Sequence, residues 1–253
     1  MNATPAGFTF LPGTDRATGS ATRVFGVARD GRGYVCKRLG PRSLGETWMR
    51  ERLAGEGRLL ALLGGRGAPQ LVASGEDAAG PWLVMQEIAW PTLSARTTRP
   101  DRRWLEGASG VAFDALASVH AAGVVHGDIG PDNVLVSKEG TAAMLVDFGL
   151  ALGPSMPFMP AGPFRGTLAY AAPEVARGEP FDGRADLFSM AASLLRVWSG
   201  EGPRPIVGQA ATLRAAGDEG IEAWAERTAK GLDPGLAQRL MRCCAFDARE
   251  RLP

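Results

Sequence analysis

The sequence predicts an α+β chain in which a small antiparallel β lobe with one main helix precedes a larger, mainly α-helical lobe. Two observations predict that order. Short β-type runs dominate the first third of the 253 residues, and from about Trp104 the apolar spacing turns helical. The first runs, Ala21 to Ala28 and Gly33 to Leu39, flank Arg29-Asp30-Gly31-Arg32, whose Asp-Gly pair is a strong two-residue hairpin signal. Glu51 to Leu63 follows as a helix, with Leu53, Leu59, Leu60, Leu62 and Leu63 on roughly one side. Pro81 to Ile88 is an apolar run of strand length.

In the second part, Val111, Leu116, Val119 and His120 space like one helix face, and Asp186 to Trp198 is a longer apolar helix. Two short β-type runs, Val134 to Ser137 and Ala143 to Val146, lie between them. Pro154 to Pro163 is rich in proline and predicts a surface loop. The expected division is an N-terminal extension over 1–15, without a legible role, and a folded region over 16–253. Within it the small lobe covers about 16–88, a joint about 86–94 and the large lobe about 95–253.

Charge excludes some partners. Against 28 basic side chains stand 27 acidic ones, a net charge of +1, so no basic excess favours nucleic acid or an anionic membrane. Cys36, Cys243 and Cys244 form neither a disulfide framework nor a spaced metal site. With no basic-then-apolar leader and no apolar run of about 18 residues, the expectation is a soluble, cytoplasmic protein.

Chemistry concentrates in two segments, His126-Gly127-Asp128-Ile129-Gly130-Pro131-Asp132-Asn133 and Asp147-Phe148-Gly149. Phosphoryl transfer needs a cradle for the triphosphate, a cation on it, hard oxygens for Mg²⁺ and a base that aims the nucleophile. These segments supply carboxylate and amide oxygens of that kind. Asp-Phe-Gly alone is a strand followed by a turn; with His-x-Asp-x-x-x-x-Asn a short way upstream it becomes specific.

Together the two segments resemble the catalytic and metal-binding loops of protein kinases. The resemblance extends to Gly166-Thr167-Leu168-Ala169-Tyr170-Ala171-Ala172-Pro173-Glu174, similar to the end of the kinase activation segment, and to Tyr34-Val35-Cys36-Lys37, similar to the strand with the phosphate-binding lysine. It runs from about Thr18 to Arg251 and implies a protein-kinase-like bilobal fold. It also implies ATP and Mg²⁺ as cofactors and phosphorylation of protein Ser/Thr hydroxyls, on an unidentified protein or on the chain itself. The Gly, Ala and Arg content suits a GC-rich bacterial genome.

The resemblance also implies roles for single residues. Asp128 would orient the acceptor hydroxyl, and Asn133 and Asp147 would hold metal. Lys37 would contact phosphate and pair with Glu56. Thr167 would contact Asp128, in the manner of Ser/Thr rather than Tyr kinases. Met85 to Ile88 would be the hinge, with backbone groups of Gln86 and Ile88 on adenine and Val24, Val35 and Leu135 around the ring. Gly19 would remain from the phosphate-binding loop. Asp186 would tie a buried helix to the catalytic loop, and Arg251 would pair with Glu174.

Three positions depart from the family pattern. Over Ala17 to Val24 only Gly19 and Val24 survive of the Gly-rich loop, which predicts weakened nucleotide binding. Gly127 replaces the arginine that receives an activation-loop phosphate, predicting activity without that phosphorylation. Gly130 replaces the lysine of Ser/Thr kinases, so the loop also resembles that of aminoglycoside phosphotransferases; Arg165 is a candidate replacement cation. Two alternatives therefore stand beside protein phosphorylation: a small-molecule phosphotransferase, and a pseudokinase serving as a binding module.

Overall fold

The computed structural model describes residues 4–15, 22–154, 168–206 and 208–251. The chain divides into two compact units, Met1–Ala89 and Trp90–Pro253.

The first unit is an antiparallel five-stranded sheet in the order β1-β2-β3-β5-β4, with one α-helix. Its strands are β1 (Thr9–Phe10), β2 (Thr22–Arg29), β3 (Arg32–Leu39), β4 (Leu71–Asp77) and β5 (Gly80–Gln86). Between β2 and β3, Asp30 and Gly31 have φ of 52° and 73°. Positive φ at both central residues makes the tight turn whose twist matches a hairpin. Two-residue alternation then sorts the side chains. Phe25, Val27, Cys36 and Val84 form one buried cluster, while Val24, Val35, Lys37 and Met85 alternate with them.

Phe8 and Phe10, from the N-terminal segment, pack against that cluster. Phe8 meets the Tyr34 ring edge-on at 6.0 Å, and Phe10 meets Phe25 at 5.7 Å. Thr14 closes the segment by accepting a 2.9 Å hydrogen bond from the Gly26 N–H. A Cβ at Gly26 would lie 2.8 Å from the Thr14 hydroxyl, so this approach requires glycine. The helix α1 (Thr47–Leu63) buries Leu53, Leu59, Leu60 and Leu63 and ends on Gly64 in the left-handed conformation.

The second unit is mainly helical. Its elements are α2 (Arg102–Ala121), the antiparallel hairpin β6 (Val134–Val136) and β7 (Ala143–Leu145), and then α3 (Pro173–Ala176), α4 (Gly183–Ser199), α5 (Gln209–Asp218), α6 (Glu222–Thr228) and α7 (Pro234–Cys243). Asp101 caps α2 by accepting a hydrogen bond from Trp104 N–H at 2.8 Å, and Asp182 caps α4 through Arg184 N–H at 2.9 Å. Nearly every α4 position from Ala185 to Trp198 is buried, which marks it as the central helix of the unit. The segment 91–94 runs beside β6: Leu93 N–H donates to Val134 O at 2.9 Å, and Val136 N–H donates to Pro91 O at 3.0 Å.

Candidate active site

In the first unit, β3 holds Lys37 and α1 holds Glu56. Lys37 Nζ donates to both carboxylate oxygens of Glu56 at 2.8 Å, and the two residues are 6% and 2% exposed. A charged pair this dry is expensive to bury, and its geometry restores part of that cost. The close approach of α1 to the sheet makes the pair reachable. A Cβ at Gly57 would lie 2.8 Å from the end of the Leu83 side chain of β5, so a larger residue beside Glu56 would have to displace that leucine.

On the same strand face, Val24 is Lys37's register partner across β2 and β3, and Val35 is the partner of Met85 on β5. Val35 is buried and Val24 half-buried. Gln86 is exposed at the end of β5, where its N–H donates to Gln70 O at 2.9 Å; Ile88, just beyond the strand, is half-buried. Gly19 lies outside the described residues.

In the second unit, the loop from His126 to Asn133 joins α2 to β6, and the buried Asp186 of α4 pins its start. Asp186 Oδ2 accepts from the His126 N–H at 2.8 Å, and Oδ1 accepts from the Gly127 N–H at 2.8 Å. His120 of α2 adds its ring Nε2 to Oδ2 at 2.8 Å. A Cβ at Gly183 would strike that ring at 2.8 Å, so the first turn of α4 comes this close only with glycine. Gly127 has φ of 73°, and a Cβ there would be 3.0 Å from Leu150 O. The left-handed backbone and the tight space both suit the glycine at this position. The sequence reading foresaw the role of Asp186 but not that of His120, whose only signal was its place on a helix face.

The far end of the loop is tied to its centre. Asn133 donates through Nδ2 to the Asp128 backbone O at 2.8 Å and to the Asp128 Oδ2 at 3.4 Å. Its own carbonyl accepts from Val146 N–H at 3.0 Å, linking it to the residue before Asp147. Asp147 is exposed and has φ of 64°, an uncommon left-handed conformation for a non-glycine residue; its side chain accepts from the Gly149 N–H at 3.3 Å. Phe148 is fully buried against the His126 ring, centroids 4.7 Å apart, and His126 Nε2 lies 3.0 Å from Val146 O. Leu135 is buried on β6, bridged to Thr92. Gly130 is buried, and its carbonyl accepts from Asn133 N–H at 3.0 Å.

Downstream, Arg251 meets Glu174 of α3 with two hydrogen bonds, Nη1 to Oε1 at 2.6 Å and Nη2 to Oε2 at 3.0 Å. Arg251 is 2% exposed and also donates to the carbonyls of Ala245 and Phe246 at 2.7 and 2.9 Å. Thr167, Arg165 and most of the expected 154–163 loop lie outside the described residues. Sequence reasoning missed Arg204, a buried arginine whose guanidinium donates to the carbonyls of Ala169 and Ala171 at 3.2 and 3.0 Å. Flanked by prolines in a connection, it carries no sequence signal of burial.

A family model described as "Protein kinase domain" matches residues 19–252. Among curated proteins, serine/threonine-protein kinase PknJ of Mycobacterium tuberculosis is 37% identical over 161 residues, covering 59% of this chain and 27% of the relative. Serine/threonine-protein kinase Pkn1 of Myxococcus xanthus is 33% identical over 175 residues, 65% of this chain and 25% of the relative. Serine/threonine-protein kinase PknL of Mycobacterium tuberculosis is 31% identical over 178 residues, 68% and 44% respectively. The matches thus span between a quarter and less than half of these bacterial relatives' own lengths.

Proposed function

Because this chain belongs to the protein kinase family, we propose that it transfers the γ-phosphate of ATP to Ser or Thr hydroxyls of a protein, the chain itself among the candidate acceptors. The observation that carries the proposal is the loop from His126 to Asn133. Asp186 holds it by two backbone N–H groups at one end, and Asn133 reaches the Asp128 carboxylate at the other. A carboxylate on a loop held at both ends is suited to aim a hydroxyl and take its proton as the bond to phosphorus forms.

The residues present fit a Mg²⁺ ion. Asn133 commits its amide nitrogen to Asp128, which leaves its amide oxygen for a cation, and Asp147 adds a carboxylate on an exposed, left-handed turn. Both are hard oxygen donors of the kind Mg²⁺ takes. When bound, the ion would neutralise charge on the phosphates. Lys37, fixed by Glu56, would hold phosphate oxygens with a positioned ammonium. Gln86 and Ile88 would meet adenine through backbone groups, with Val24, Val35 and Leu135 against the ring and Gly19 near the phosphates. Thr167 favours a Ser/Thr acceptor.

Gly130 favours a second reading, because the loop has no cation two residues after Asp128 and so resembles that of small-molecule phosphotransferases. The Ala172-Pro173-Glu174 platform and its bidentate arginine weigh for a protein acceptor. A binding module that performs no transfer would have no use for a base at Asp128.

The test is Asp128→Asn, assayed for both nucleotide binding and transfer. Transfer should fall by about 10²–10⁴-fold, while nucleotide affinity stays close to wild type. Unchanged transfer would remove Asp128 from the reaction, and no transfer by the wild-type protein would favour the binding module.

A further inference from the structure

A short 3-10 turn, Leu168–Tyr170, precedes Ala172-Pro173-Glu174, and the three consecutive carbonyls of Ala169, Tyr170 and Ala171 are all engaged by side chains. Arg204 Nη1 donates to Ala169 O at 3.2 Å and to Ala171 O at 3.0 Å. Ser189 Oγ of α4 donates to the carbonyl between them, Tyr170 O, at 2.9 Å. Arg204 Nη2 lies 3.4 Å from Glu219 O, beyond the end of α5.

The chemistry of Arg204 is unusual for a buried cation. It is 7% exposed, no carboxylate of the described residues pairs with it, and its Nε has no hydrogen-bond partner. Its charge is balanced by carbonyl dipoles and by the Phe188 ring, 5.6 Å away; the same ring carries Arg251 at 4.8 Å. Burial pushes its pKa down to about 10, so it stays charged at neutral pH. A desolvated cation without a counter-ion contributes little to stability, and an apolar side chain of similar volume often serves as well or better. What an apolar side chain cannot do is hold two carbonyls two residues apart.

We propose that Arg204, seconded by Ser189, is a positioning residue that racks the backbone of 169–171 and so sets the acceptor platform without a phosphate on the activation segment. The inference rests on the proposed transfer to a protein hydroxyl. Two observations connect the rack to regulation. Gly127 provides no side chain to receive a phosphate, and Arg251 clamps Glu174 from the opposite end of the same short stretch. The platform is thus held at its carboxylate by one arginine and at its carbonyls by another, both stacked on one phenylalanine of α4.

The experiment uses the full chain after phosphatase treatment and compares Arg204→Met and Arg204→Lys with wild type. Arg204→Met should raise amide exchange over 168–176 by about tenfold, the scale of one lost charge-assisted bond. It should raise the KM for casein, a generic protein acceptor, by a similar factor, with nucleotide affinity and Tm retained. Arg204→Lys should recover part of both. Should Arg204→Met fail to fold, Ser189→Ala gives the same readouts with a smaller expected change, about threefold. Exchange and KM at wild-type values in a folded variant would overturn the inference. Exchange that rises equally along α4 would also overturn it, by making Arg204 a packing residue. If the wild-type protein labels no acceptor, the functional reading falls, and local exchange alone decides the role of Arg204.

Discussion

Asp186 shows how much one buried carboxylate can organise. It gathers donors from α2 and from the two residues that open the loop from His126 to Asn133, and one of them, the His126 N–H, would otherwise be a buried polar group without a partner. Arg251 does the same for Glu174 further along. The cysteines have the opposite character. Cys36, Cys243 and Cys244 are all outside disulfides and all buried. Burial pushes the Cys36 thiol up to about 12 and Cys243 up to about 11, and it raises Cys244 further. The thiolate is the nucleophile, so a raised pKa moves reactivity to higher pH. Native protein at pH 8 should therefore resist iodoacetamide at all three positions, and the unfolded chain should be labelled at each. Rapid labelling of any one in the native state, counted by mass spectrometry, would contradict this account. Lys37, Glu56, Asp128, Asn133, Asp147, Glu174 and Arg251 stand out in the sequence because their chemistry sits in short ordered motifs. Arg204 and His120 do not, because their roles depend on what the fold brings to them.

At the scale of elements, the N-terminal segment is the clearest gain from structure. The family match begins at residue 19, yet β1 pairs with β2, and Phe8 and Phe10 cover the cluster of Phe25, Val27, Cys36 and Val84. Arg29 adds a guanidinium 4.6 Å over the Phe8 ring. Deleting residues 1–15 should cost about 2–4 kcal/mol, from two half-buried phenylalanines at about 1.5–3 kcal/mol each when fully buried. Urea unfolding measures it, and an unchanged midpoint would show that the segment only rests on the sheet. Two strands explain why part of the sheet was not legible. The two residues of β1 are too few for periodicity to act on. The strand β4 contains Gly75 and ends in Glu76-Asp77, has a half-exposed face and is bulged near Leu71, so its alternation is broken. The hairpin of β2 and β3 was legible because Asp-Gly specifies its turn, and α4 was legible because its apolar run is long.

On the scale of the whole molecule, composition set bounds and motif order supplied the content. The net charge is +1, and no helix among the described residues is long and apolar enough to cross a membrane. The order of strand-rich unit and helical unit was predictable because the period of the apolar pattern changes along the chain, a property that survives errors in single elements. What the pattern could not carry is the acceptor, since Gly130 and Gly127 alter the loop in ways that two phosphotransferase classes can share. The measurement that decides it is acid hydrolysis of protein labelled from γ-labelled ATP and Mg²⁺, with casein and an aminoglycoside offered side by side. The account predicts phosphoserine or phosphothreonine, in casein or in the chain itself, abolished by EDTA. Label on the aminoglycoside alone, or nucleotide bound with label nowhere, would contradict it.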